Sequence, residues 1–267
     1  LHFNNFAKEV FMLKGNPKIL IPNFFTGMNM FIGLVSIFYS ISGDFINAAW
    51  LVLLSTIMDK LDGSTARLFN ASSEFGVEFD SFSDFVSFSL APAVLVFSYF
   101  SKVLPGGRIL EHPYFVAIVP LYVIFCAVRL ARYNSFQSDD HDYFSGLTST
   151  QSGGMLAAYM VFAIENPNFS FLLSTDIVAG MMLIQACLML LPFKYPKVKM
   201  PKNKTARIFF ILYFIFLCGL IFMRRLPWLL WISGVLFVLI GFLRTRKIAV
   251  PLNTSDDFNH EQQEEQN

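Results

Sequence analysis

Three cysteines and four histidines are all that this chain of 267 residues offers to soft or borderline metals. Cys126, Cys187 and Cys218 lie far apart within apolar stretches, which excludes a CxxC redox pair, a zinc knuckle or a disulfide framework and leaves core packing as their reading. Charge is also scarce. Charged residues make up 15% of the chain and apolar ones 55%, with 32 phenylalanines, a balance outside that of an ordinary soluble domain. No cleavable leader is evident, and no internal repeat or soluble domain stands out. The net charge of +1 gives no sign of a nucleic-acid partner.

Uncharged stretches recur instead, at residues 22–43, 45–58, 85–101, 113–128, 145–164, 177–193, 208–223 and 226–243. A helix needs about 20 residues to cross the hydrocarbon. The expected fold is therefore an all-α integral membrane protein of about eight transmembrane helices, some carrying polar residues at their ends. With both termini placed in the cytoplasm, sixteen of the twenty Lys and Arg residues fall on the inner side and four on the outer. That asymmetry follows the positive-inside rule and predicts a multi-pass protein of the cell (inner) membrane. Residues 1–20 read as an amino-terminal interfacial segment, 21–200 as a core of six spans, and 201–247 as two further spans. Residues 248–267 read as a polar, disordered tail. The six basic residues from Lys194 to Arg207 suit anionic lipid.

Within this apolar background, four carboxylates stand out. From Asp59 to Asp84 the chain reads D-x2-D-G-x2-A-R-x8-G-x3-D-x3-D, fixed at Asp59, Asp62, Gly63, Ala66, Arg67, Gly76, Asp80 and Asp84. Asp59 and Asp62 are three residues apart and Asp80 and Asp84 four, so each pair projects from one helical face. The stretch 45–58 gives only about 21 Å of helix, so this span must run on through Asp59 and Asp62. The next begins just after Asp84, and all four carboxylates arrive near the cytoplasmic face. Paired carboxylates on facing helices repel unless a cation lies between them, and hard divalent metals that work with phosphates prefer oxygen ligands. Helix-end carboxylates facing water, or an ion pathway in a transporter, are the competing readings.

These eight positions match, without departure, the motif of the CDP-alcohol phosphatidyltransferase family, and the chain resembles that family over roughly residues 18–200. The flanks are similar to its bacterial, membrane-embedded, serine-accepting branch: Ile21 to Thr26, Phe79 to Ala93, Arg129 to Asn134 and Tyr143 to Leu147. The resemblance implies transfer of the phosphatidyl group of CDP-diacylglycerol to L-serine, giving phosphatidylserine and CMP. Glycerol-3-phosphate, inositol phosphate or choline are the alternative acceptors. It implies two Mg²⁺ or Mn²⁺ ions, one held by Asp59, Asp62 and Asp80 and the other by Asp59, Asp80 and Asp84, with Asp84 as general base, and a homodimer.

Other residues keep two readings. Gly63 and Ala66 serve tight helix packing or leave room for the nucleotide. Arg67 reaches lipid headgroups or binds phosphate oxygens bidentately. Ser73 caps a helix or touches the lipid diphosphate, and Gly76 admits the phosphates. Asn23 and Thr26 cap the first span or stand at a helix entry that the resemblance places beside the nucleotide, with Asn23 in its pocket. Arg129, Arg132 and Asn134 are candidates for serine, whose carboxylate needs a cationic partner; Asp139, Asp140 and Asp142 read as a solvated loop.

Overall fold

A computed structural model describes residues 19–69, 73–107, 109–135, 143–191, 194–196 and 204–248. The expected interfacial segment, apart from its last two residues, and the polar tail beyond Ile248 lie outside the described residues. So do the loop of Asp139, Asp140 and Asp142 and the side chains of the Lys194 to Arg207 run.

Helices form where the uncharged stretches predict them. They are α1 (Leu20–Ser42), α2 (Phe45–Phe69), α3 (Glu74–Phe85), α4 (Ala91–Val103), α5 (Pro113–Ser135), α6 (Ser149–Glu165), α7 (Thr175–Leu190), α8 (Lys204–Phe222) and α9 (Pro227–Ile248). The all-α class holds, and among the described residues one short extended pairing accompanies the helices. Tyr143–Ser145 and Lys194–Pro196 pair as a short antiparallel ribbon, because both connections return to the same end of the bundle. Among the described residues three rods are long and apolar enough to cross a membrane: Leu20–Ser42, Glu74–Val103 and Pro113–Ser135. A fourth arises if Pro167–Leu173 and Thr175–Leu190, bent by 60°, count as one span. Large apolar side chains such as Phe24, Phe31 and Phe38 on α1 and Ile124 on α5 face outward. Such a coat is what a bilayer, rather than water, would tolerate.

Local chemistry sets the helix ends. Gly43, in the left-handed conformation at φ 97°, closes α1, and its N–H caps the Tyr39 and Ser40 carbonyls. Asp44 then opens α2 by accepting from the Asn47 N–H at 3.2 Å. Ser73 caps α3 through the Gly76 N–H at 3.0 Å, and Thr148 caps α6 through the Gln151 N–H at 3.2 Å. Two ends of the bundle result. At one, Lys102 lies over the Phe45 ring and the Tyr114 hydroxyl donates to Asp176 at 2.6 Å. At the other lie the four aspartates and the ribbon.

Between α3 and α4 the helix does not break but widens into a π-turn, Val86–Leu90. Three successive residues there bond to two different helices, α1 and α5. The Ser87 hydroxyl donates to the Asn29 carbonyl of α1 at 2.9 Å. The Phe88 carbonyl accepts from the Tyr122 hydroxyl of α5 at 3.1 Å, while its ring is fully buried. Ser89 points at the Val123 carbonyl at 3.5 Å. Close approach is possible because Gly33 and Gly153 carry no side chain. A Cβ on Gly33 would lie 2.8 Å from the Ser87 Cα, and one on Gly153 would lie 2.7 Å from the Phe88 carbonyl oxygen. Small residues at helix contacts are the usual device of membrane bundles, and π-turns often occur beside functional sites.

Candidate active site

Asp59 and Asp62 sit in the last turns of α2, and Asp80 and Asp84 on α3. Helix α1 crosses both and fixes their depth. Thr26 on α1 donates its hydroxyl to Asp62 Oδ2 at 3.0 Å, and its carbonyl accepts from the Ser83 hydroxyl at 2.9 Å. One residue thus ties α1 to the carboxylate helices on both sides. The sequence places Thr26 with Asn23 at the opening of the first span; its bond to Asp62, 36 positions away, was not legible there.

Carboxylate oxygens of Asp59, Asp62 and Asp80 lie within 4.8 Å of one another. Lys60 pairs with Asp59 at 3.2 Å but is 58% exposed, so it offsets little of the repulsion. Asp80 Oδ1 is buried and has no hydrogen-bond partner among the described residues. A buried, unpartnered carboxylate oxygen is costly. Three carboxylates converging, one of them with such an oxygen and with oxygen the only donor type, fit a hard divalent cation. Asp84 stands outside this group of three. Its Oδ2 accepts from the Ser149 hydroxyl at 3.2 Å and lies 3.5 Å from the Thr150 hydroxyl, both at the start of α6. Its Oδ1 is buried without a partner among the described residues.

Beside the three carboxylates opens a cleft lined by Pro22, Asn23, Thr26, Asp62, Gly63, Ala66, Ser73, Gly76, Val77 and Asp80. Eight residues singled out from the sequence, Thr26 among them, therefore line one cleft. The Gly76 position faces Asn23 Oδ1 and Ser73 Oγ, and an added Cβ there would come within 3.3 Å and 3.0 Å of them. Arg67 folds back so that its guanidinium would stand 3.6 Å from a Cβ on Gly63. The guanidinium thus lies next to the cleft.

The three serine-binding candidates have separated environments. Arg132 donates to the Leu190 carbonyl at 2.9 Å and the Met189 carbonyl at 3.3 Å, capping the end of α7. Asn134 bonds Glu78 at 3.2 Å and Ser81 at 3.0 Å on α3. Arg129 alone of the three adjoins Asp84. It is 6% exposed, its Nη1 donates to Ser149 Oγ at 3.1 Å, and its Nε is buried without a partner among the described residues. Ser149 and Thr150 were missed in the sequence; a run of hydroxyl residues opening an apolar span (Thr148 to Ser152) was the signal.

Known proteins place this geometry. Residues 19–191 match the family profile described as CDP-alcohol phosphatidyltransferase. Over 230 residues the chain is 38% identical to a protein from Helicobacter pylori named CDP-diacylglycerol–serine O-phosphatidyltransferase, covering 86% of this chain and 92% of that one. It is 30% identical over 153 residues to a protein of the same name from Mycobacterium tuberculosis, covering 54% of this chain and 51% of that one. An archaetidylserine synthase from Methanothermobacter thermautotrophicus is 30% identical over 183 residues, with 67% and 71% covered. The profile takes in α1 to α7 and every residue of the cleft, and on that ground the chain belongs to the CDP-alcohol phosphatidyltransferase family.

Proposed function

We propose that this protein transfers the phosphatidyl group of CDP-diacylglycerol to L-serine, giving phosphatidylserine and CMP. The observation that carries the reading is the convergence of Asp59, Asp62 and Asp80 beside a cleft walled by small residues, with Asp84 one turn further along α3. Serine as acceptor is supported by the names of the relatives, which share it across bacterial and archaeal lipids.

In this reading Asn23, Gly63, Ala66 and Gly76 leave space for the cytidine and diphosphate, while Arg67 and Ser73 bind the diphosphate oxygens. Mg²⁺ or Mn²⁺, held by Asp59, Asp62 and Asp80 and by Asp59, Asp80 and Asp84, would neutralise charge on the phosphate oxygens. Asp84 takes the proton of the serine hydroxyl as that oxygen bonds to the lipid-side phosphorus. The bond from this phosphorus to the CMP oxygen breaks, and CMP leaves. Arg129 meets the serine carboxylate, since Arg132 and Asn134 already have protein partners. Association as a homodimer rests on the family resemblance.

An acceptor panel tests the reading. Purified protein in liposomes with CDP-diacylglycerol is expected to release CMP with L-serine, and far less with glycerol-3-phosphate, inositol phosphate or choline. Equal or faster release with one of those alcohols would replace serine; no release with any would remove the reaction.

With α3 and α4 taken as one continuous rod, the eight helical rods among the described residues are further proposed to be eight spans, with the carboxylate end in the cytoplasm, at the inner membrane. In a background lacking Cys126, Cys187 and Cys218, a cysteine at exposed Glu74 should react only with reagent on the cytoplasmic side. One at exposed Ser170, between α6 and α7, should react only from outside. The reverse pattern would invert the orientation.

A further inference from the structure

We propose that Ser149 is a positioning residue that sets the distance between the proton-accepting carboxylate and the acceptor-binding cation, and so selects short hydroxy amino acids as acceptors. This rests on the reading of Asp84 and Arg129 just given.

The polarity of the Ser149 bridge is fixed by its neighbours. A guanidinium only donates and an ionised carboxylate only accepts. Ser149 therefore accepts from Arg129 Nη1 at 3.1 Å and spends its single proton on Asp84 Oδ2 at 3.2 Å. Its side chain is 1% exposed, and it stands at the first position of α6, held by the Thr148 cap. One oxygen thus separates base from cation, holding the two groups about 6 Å apart or less.

On either side of the bridge one atom is left over. Asp84 Oδ1 accepts nothing and Arg129 Nε donates to nothing among the described residues, and both are buried. The pair is complementary to a molecule with a hydroxyl to donate and an anionic oxygen to accept, close together on one short skeleton. L-serine has its hydroxyl and carboxylate on adjacent carbons. In an acceptor whose anion is carried further from the attacking hydroxyl, that anion would overreach Arg129. The bridge also leaves Asp84 only Oδ1 for the acceptor, which orients the attacking oxygen.

The test compares wild type with Ser149→Ala, Ser149→Cys and Ser149→Thr in liposomes, following CMP release with L-serine, with L-homoserine and with water alone. Removing the hydroxyl should lower kcat with serine about 10- to 100-fold, the scale for a lost hydrogen bond to a charged group. KM for serine should rise, KM for CDP-diacylglycerol should stay within about twofold, and the preference for serine over homoserine should narrow. Ser149→Thr, which keeps the hydroxyl, should recover most of kcat. If Ser149→Ala does not fold, Ser149→Cys carries the same expectation. Retention of kcat and serine KM in the truncations overturns the bridge alone, as does equal impairment of Ser149→Thr, which would indicate packing. A wild type that transfers to another alcohol but not to serine overturns the acceptor reading and this inference with it.

Discussion

Asp84→Asn should lower serine-dependent CMP release by roughly 100-fold or more, the usual scale for losing a general base. The substitution keeps the size and one oxygen of the side chain, so the Ser149 and Thr150 hydroxyls retain an acceptor on α3. What disappears is the basicity that the proposed proton transfer needs. CDP-diacylglycerol should still bind, because the cleft of Asn23, Gly63, Ala66 and Gly76 lies against Asp62 and Asp80 rather than Asp84. Single-turnover CMP release, alongside the thermal shift produced by CDP-diacylglycerol, separates the two effects. Near-normal turnover at saturating metal would remove Asp84 from the role of base.

Metal removal is expected to be at least as severe. Carboxylates with oxygens within 4.8 Å of one another, one oxygen buried and unpartnered, need a cation to coexist as anions. Electrostatic stabilisation by a bound divalent ion contributes several kcal/mol to reactions of this class. Each 1.4 kcal/mol is about tenfold in rate, so excess EDTA should suppress release by roughly 100-fold or more. Mg²⁺ or Mn²⁺ added back should restore it. Asp62→Asn should raise the Mg²⁺ concentration required for half activity, and should also uncouple Thr26 from its charged acceptor. Full activity after chelation would sink the account of the aspartates as metal ligands.

Much of this site was legible in the chain before any coordinates. Carboxylates are so rare in the apolar stretches that Asp59, Asp62, Asp80 and Asp84 announce themselves, and helical spacing alone puts each pair on one face. The length of the second apolar stretch correctly required α2 to run on through Asp62. What stayed hidden depended on contacts between distant segments. Ser149 meets Asp84 across 65 positions, and the local run from Thr148 to Ser152 does not tell it apart from a helix-capping hydroxyl. Arg132 and Arg129 look alike in sequence, three residues apart at the end of one span. Only the packing of α7 turns the first into a cap for carbonyls and leaves the second beside the base. The π-turn at Val86–Leu90 was equally invisible, since one extra residue per turn hardly disturbs a run that is apolar on every side.

That turn has a consequence for how the enzyme meets its own electrostatics. Four like charges brought together resist assembly, and a helix free to swivel about its axis would relieve the strain by pointing them apart. With Ser87 fastened to α1 and Phe88 and Ser89 to α5 just past Asp84, α3 cannot swivel without unfastening from both. The repulsion is therefore borne once, when the chain folds, rather than in every catalytic cycle. In the proposed reaction, arriving cations and phosphates would meet groups already aimed at them. Loosening the fastening from afar, as Tyr122→Phe would do in the middle of the bundle, should therefore register in the chemistry of carboxylates that Tyr122 does not touch.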